Sequence, residues 1–221
     1  MEFIVVSDAA RQLGVSTRQV QYLVACGDLG RVARGFIDRT SLERHIAARQ
    51  GARHRAWSQN TAWAVVAILS DLPAPWLGPT QRSRLKNALR RVTGIELIAR
   101  SRGRAQVHQY HGHSRTADQL RHQLVDTSRA AAALGLTEAP DRVDGYIAAD
   151  DLNDIVARHA LIEEADGAYT LRATAMDLAI VRALSANTPV LAALDLAESL
   201  DIRERQIGLC FLDDRLNQLN G

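Results

Sequence analysis

The sequence predicts a mostly α-helical protein with short β-hairpins, and three observations predict it. Apolar residues recur at helical spacing over much of the chain, several of these segments open on a Ser or Thr suited to cap a helix, and the strand-like runs are short. At 221 residues and 47% hydrophobic content, the chain can hold two to three small domains with cores of their own.

The first segment is the most strongly patterned. Ser7 is placed to cap a short helix whose small apolar residues Ala9, Ala10 and Leu13 face inward, and Gly14 supplies a turn. Ser16 and Gln19 fit a capping box that opens a second helix. At 100° per residue, Val20, Leu23 and Val24 fall on its buried side. Arg18, Gln21 and Tyr22 are left on the opposite side, with Thr17 near the positive N-terminal end. Residues 31–37 then read as a hairpin with Arg34 and Gly35 at its tip, and a closing helix starts near Asp38 and buries Leu42 and Ile46.

This order of A-A-x-x-L-G-V-S, second helix, G-x-L, basic hairpin and closing helix resembles the excisionase and MerR-type winged helix-turn-helix family. The resemblance covers the first fifth of the chain. It implies a DNA-binding domain over residues 1–50, with Thr17, Arg18, Gln19, Gln21 and Tyr22 of the second helix and Arg31 and Arg34 of the hairpin touching the duplex.

Residues 49–55 are polar, basic and carry glycine, and read as a linker. A second unit is expected over residues 56–113. Ser58 caps a helix to residue 70, Pro73 and Pro75 break it, and Thr80 caps another through residue 92. Residues 96–100 and 105–110 read as strands around a basic tip, so helix, helix, hairpin repeats the winged order. Arg82, Lys86 and Arg90 form a stripe at i, i+4, i+8, away from Leu85 and Leu89. With Arg102 and Arg104 at the tip, they are expected to contact nucleic-acid phosphates.

Residues 114–221 read as a mostly helical, partner-binding domain. Helices are expected at 116–125, 127–134 and 150–159, and short strands at 146–148, 160–162 and 169–173, the last two forming a hairpin around Asp166 and Gly167. Three amphipathic helices follow, at 176–184, 190–200 and 204–219. The net charge of +2 conceals a division: residues 1–125 hold 19 Lys+Arg against 8 Asp+Glu, and residues 126–221 hold 8 against 17. The basic half suits phosphates and the acidic half suits a basic protein, with Leu194, Leu196, Glu198, Leu200, Asp213 and Asp214 as the expected docking residues.

Catalytic patterns are weak. His108, His111 and His113 lack supporting Cys or carboxylate ligands and read as a polar strand end rather than a metal site. Arg115 and His122 match a loose ribonuclease spacing that chance supplies in an arginine-rich chain. Asp150, Asp151 and Asp154 read as helix-start acids. No phosphate loop or nucleophile elbow is present, and Lys86 is the single lysine, so no enzyme activity, cofactor or metal is expected. Cys26 and Cys210 read as reduced core thiols of a cytoplasmic protein; no signal sequence opens the chain, and the longest apolar run, residues 62–69, is too short to cross a bilayer.

Residues 192–205, A-A-L-D-L-A-E-S-L-D-I-R-E-R, together with the middle basic unit, resemble the C-terminal part of actinobacterial helix-turn-helix antitoxins, which are similar to the AbiEi type paired with nucleotidyltransferase toxins. The head departs from that layout in being of excisionase type. The resemblance implies a repressor that binds a double-stranded DNA operator and neutralises a cognate toxin. An excisionase-like recombination factor and a ligand-responsive regulator share the same head, and a histidine-dependent nuclease is the enzymatic alternative.

Overall fold

The computed structural model describes residues 3–26, 29–39, 41, 42, 46, 55–137, 139–165, 167–199 and 201–220, without the side chain of residue 129. Helices dominate, two sheets accompany them, and the chain divides into two units, Met1–Arg55 and Ala56–Gly221.

In the first unit, β1 (Phe3–Val5) runs directly into α1 (Val6–Leu13), which Gly14 ends at φ +64°, a left-handed conformation that costs glycine little. Val5 holds the cap position of α1 and Ser7 lies inside its first turn, so the expected Ser7 cap is not formed; the Val6 amide instead donates to the Gly35 carbonyl at 3.0 Å. The Ser16 hydroxyl accepts from the Gln19 amide at 3.2 Å and opens α2 (Thr17–Ala25). β2 (Arg31–Ala33) and β3 (Phe36–Asp38) form the expected hairpin, and β3 also pairs with β1, giving the order β1-β3-β2.

Ala9, Ala10, Val20, Leu23, Leu29, Ile37 and Leu42 form this unit's core, with Ile46 against it. Ser41 fastens the base of the hairpin: its hydroxyl accepts from the Gly30 amide and donates to the Asp38 carbonyl, both at 2.8 Å. Most of the expected closing helix after Leu42, and the linker up to residue 54, lie outside the described residues. Cys26, expected in the core, is exposed, as is Cys210.

The second unit opens with α3 (Gln59–Leu69), buried from Ala62 onward, where its apolar residues run all round the helix rather than along one stripe. Ser58 holds its cap position, with its hydroxyl 2.9 Å from that of Thr61 rather than on a backbone amide. α4 (Pro79–Leu89) is capped at Gly78, with Pro79 in its first turn, two residues before the expected Thr80 cap. The largest departure comes next. Residues expected to form a hairpin with a basic tip are instead α5 (Gly94–Ser101), opened by a complete capping box between Thr93 and Glu96, followed by a single 3-10 turn, Arg102–Arg104. The box is a start signal for a helix, and it overrides the strand pattern.

β4 (Gln106–His111) is therefore not half of a local hairpin. It sits in a five-stranded sheet with β5 (Val125–Asp126), β6 (Val143–Ala148), β7 (Ile162–Glu163) and β8 (Tyr169–Thr174), in the order β5-β6-β8-β4-β7. The β6–β8 pair is parallel and the other pairs antiparallel. β4 separates β7 from β8, so those two do not form the expected hairpin, whose Asp166 lies outside the described residues. Residues 56–113 and 114–221 thus share one sheet and one unit, and a second winged unit is not formed.

α6 (Thr116–Gln123), α7 (Ser128–Ala132) and α8 (Leu152–Arg158) connect the strands. Asp150 and Asp151 lie in a 3-10 turn before α8 and Asp154 in its first turn. α9 (Leu178–Asn187), α10 (Val190–Ala197) and α11 (Ile202–Gln218) complete the chain near the predicted bounds. One core gathers Trp63, Leu69, Leu97, Val190, Leu191 and Leu212; another gathers Tyr110, Leu120, Ile147, Tyr169 and Leu171. No single helix among the described residues is long and apolar enough to cross a membrane.

α10 and α11 meet at Gly208, where a Cβ would press on the Ala193 carbonyl oxygen and lie 2.7 Å from the Ala197 nitrogen. Those are backbone atoms that cannot swing aside. Gly208→Ala should therefore lower unfolding free energy by roughly 1–3 kcal/mol in urea titrations, despite alanine's higher helix propensity.

Candidate nucleic-acid interface and an internal charge network

α2 presents two unlike sides. Val20 and Leu23 are buried, whereas Thr17, Arg18, Gln19, Gln21 and Tyr22 are all exposed, and Tyr22 is 61% exposed despite its size. Arg31 and Arg34 on the hairpin are exposed as well. The first unit therefore displays on its surface each residue the sequence nominates there.

In the second unit the nominees separate. Arg82, Lys86 and Arg90 lie exposed along α4 and at its end, flanking the buried Leu85 and Leu89. Arg102 is exposed too. Arg104 is not: only 2% of its surface is accessible, so it cannot touch a phosphate and is corrected to an internal residue.

The reason is a network of six buried or half-buried side chains. The Arg104 guanidinium donates from Nη1 and Nη2 to the two Glu198 carboxylate oxygens, both at 2.8 Å, in a bidentate fork. Nη2 also reaches Asp195 Oδ1 at 2.7 Å, Nη1 reaches the Ser101 carbonyl at 3.2 Å and Nε donates to the Tyr146 hydroxyl at 2.8 Å. Tyr146 in turn donates to Asp195 Oδ1 at 2.6 Å. Arg172 donates to both Asp144 oxygens, at 2.6 and 2.8 Å, and to Glu198 Oε2 at 3.0 Å.

Ordinary secondary structure brings these groups together. Asp144 and Tyr146 alternate onto one face of β6, and the parallel register sets Arg172 of β8 beside Tyr146. Asp195 and Glu198, three residues apart, share a side of α10 and its C-cap. The Arg104 carbonyl is fixed separately, accepting from Trp63 Nε1 at 3.0 Å, Gln59 Nε2 at 3.1 Å and Thr174 Oγ1 at 3.0 Å.

Burial opposes charge on Arg104, but Glu198, Tyr146 and Asp195 outweigh it and hold its pKa well above the ordinary value. Arg172 is raised in the same way, by Asp144 and then Asp195, against burial. Burial pushes the Glu198 carboxyl up, yet Arg104 and then Arg172 hold it below the usual range. At Asp144 burial wins over Arg172 and the carboxyl is raised. A cavity of about 430 Å³ opens beside the network, with Asp144, Arg172, Asp195 and Glu198 on its wall.

These contacts revise the expected partner surface. Leu194 is fully buried and Glu198 is committed to two arginines, so neither can dock another protein in this fold. Leu196 is half-buried on the cavity wall, Asp213 accepts from the Gly94 amide at 2.9 Å, Asp214 is exposed, and Leu200 lies outside the described residues. The charge division also fails to follow the structural boundary: Met1–Arg55 holds 9 Lys+Arg against 5 Asp+Glu, and Ala56–Gly221 holds 18 against 20. His108 lies 4.0 Å from Glu163, and among the described residues no group of His, Cys, Asp or Glu is arranged to hold a metal ion. No family model, no curated protein and no solved structure matches the chain.

Two residues signal the network in the sequence. Asp195 stands alone among the apolar residues of α10, and Arg172 is the one charge in β8, on the strand face it shares with Thr170 and Thr174. A lone charge in an apolar element requires a buried partner of opposite sign.

Removing that partner has a defined consequence. Arg104→Met should cost about 3–5 kcal/mol of unfolding free energy near neutral pH, because it leaves buried carboxylates uncompensated. Glu198 adds a pH signature. Its folded pKa is lowered, so its contribution is complete above the unfolded carboxyl range and is lost as pH falls through the folded value. Denaturation followed on the acid side of that range should show a shallower loss for Glu198→Gln than for the wild type.

Proposed function

We propose that this protein is a DNA-binding transcriptional repressor that uses residues 1–50 as a winged helix-turn-helix, α2 entering the major groove and the β2–β3 hairpin serving as the wing. The observation that carries the reading is α2 itself: a helix anchored by Val20 and Leu23 that exposes Thr17, Arg18, Gln21 and Tyr22 together. Arginine and glutamine are the side chains that pair bidentately with guanine and adenine edges. Arg31 and Arg34 on the hairpin add phosphate contacts, and so do Arg82, Lys86, Arg90 and Arg102 of the second unit.

The antitoxin role belongs to the same proposal. Its support is the excess of acid over residues 126–221 and the resemblance of residues 192–205 to antitoxin C-termini. Because the second unit is continuous, a cut near residue 125 does not isolate partner binding: it takes β8 from β4 and both carboxylates from Arg104. The appropriate test is copurification of the full chain with the product of its neighbouring gene. A stable complex that blocks that product's toxicity supports the role, and recovery of the chain alone refutes it. The cavity in the second unit favours a second reading, a ligand-responsive regulator with the same DNA-binding head.

DNA binding is tested by substitution. Arg18→Ala and Gln21→Ala should each weaken specific operator binding by about 1–3 kcal/mol in gel-shift titrations, with an unchanged melting temperature. Unaltered affinity removes α2 from the interface. Neutralising Arg82, Lys86 and Arg90 together should instead flatten the plot of log affinity against log salt, by roughly 0.9 for each phosphate that is no longer neutralised, whatever the DNA sequence. An unchanged slope places α4 outside the interface.

A further inference from the structure

Among the described residues the charge network is one cation short: Asp144, Asp195 and Glu198 face Arg104 and Arg172 there, and all five donors of Arg104 are occupied within the fold. Asp195 is only 4% exposed; its Oδ1 serves Arg104 and Tyr146 and lies 3.3 Å from Arg172 Nε, while its Oδ2 is buried with no hydrogen-bond partner among the described residues. A buried carboxylate oxygen is costly to leave without a donor.

Asp195 also lines the 430 Å³ cavity, and the other charges on the lining extend the imbalance. Asp201 and Glu204 add two acids there, against Arg142, whose Nη1 stands 3.7 Å from Glu204 Oε1. Among the described residues five acids and two arginines thus line the space, a balance that repels an anion. No metal-binding arrangement of His, Cys, Asp or Glu is found among the described residues. The remaining lining is substantially apolar, with Val107, Leu136, Ala168 and Leu196, and the volume falls within the range of small-molecule sites.

We propose that this cavity binds an organic cation, an ammonium or guanidinium group on a short aliphatic stem, with the cationic head paired to Asp195 and the stem against Val107, Leu136 and Leu196. Such a head supplies both the missing positive charge and the missing donor, while the stem replaces water on the apolar wall. The chemistry is shared by a free amine of the diamine or agmatine type and by a lysine or arginine side chain presented by a peptide. This assignment deepens the ligand-responsive reading but does not depend on DNA binding, because its test contains no DNA; failure here leaves the role of α2 standing, and failure of operator binding leaves the cavity's ligand standing.

The test is calorimetric titration of the full-length protein with putrescine and agmatine, with blocked lysine and arginine amides as the peptide source, and with butylurea and inorganic phosphate as neutral and anionic controls. Saturable binding of a cationic probe at concentrations up to about 10 mM is expected, at least about tenfold tighter than either control. Tighter binding of agmatine or putrescine assigns the site to a free amine, and tighter binding of the blocked amides assigns it to a protein side chain. Asp195→Asn and Ala139→Trp, which fills the cavity from an exposed position on its lining, should each weaken the cation by about tenfold or more. Should Asp195→Asn fail to fold, Ala139→Trp and the neutral control decide. Absence of saturable binding by every cation, equal binding of butylurea, or undiminished affinity in Ala139→Trp overturns the proposal.

Discussion

A guanidinium removed from water must find an oxygen for each of its five N–H groups, and in the second unit that requirement governs where four pieces of chain lie. Arg104 meets it with Tyr146 from β6, Asp195 from α10, Glu198 from the α10 cap and the Ser101 carbonyl at the end of α5. Its own carbonyl is claimed by Gln59 and Trp63 of α3 and by Thr174 of β8. One residue therefore ties the buried helix α3, the central parallel strands and the C-terminal helices by main chain and side chain together. Such a cluster is weak evidence of net stability, since desolvating its members costs about as much as pairing them returns. It is strong evidence of position, because a misplaced strand or helix leaves an ion unpaired in the core.

Much of the local structure was legible in the sequence because it depends on local chemistry. Gly14, Ser16 and the alternation of Val20 and Leu23 with exposed polar residues define the first two helices without help from distant contacts. The three C-terminal helices follow their apolar period in the same way. The Ser7 cap failed for a reason of tertiary origin: β1 runs straight into α1, because Val5 pairs with Phe36 and the Val6 amide with Gly35.

What escaped the sequence reading is one local signal and its non-local consequences. Residues 96–100 contain the β-compatible run Leu97, Ile98, Ala99, but Thr93 and Glu96 close a capping box that commits them to a helix. Once α5 forms, Arg102 and Arg104 belong to its terminal turn rather than to a hairpin tip, and β4 must seek partners more than fifty residues away, in β7 and β8. The same error turned a buried arginine into a surface one and its half-buried partner Glu198 into part of a docking face. Residue type gave the charge correctly, whereas location depended on a sheet order that no short segment encodes.

The span of these contacts also bears on synthesis. The strands, helices and core residues described for the first unit all lie between Phe3 and Ile46, so their contacts are available soon after the N-terminal segment leaves the ribosome. Arg104 waits much longer: its carboxylate partners are 91 and 94 residues downstream, and β4 acquires its main neighbour only when residues 169–174 have been made. Throughout that interval the nascent chain carries an unpaired strand and an apolar α3 covered only on the side of α4 and α5, a state in which chaperone capture competes with aggregation. The first unit can thus form well before the second, whose closure waits on the strand and helices of the last fifty or so residues.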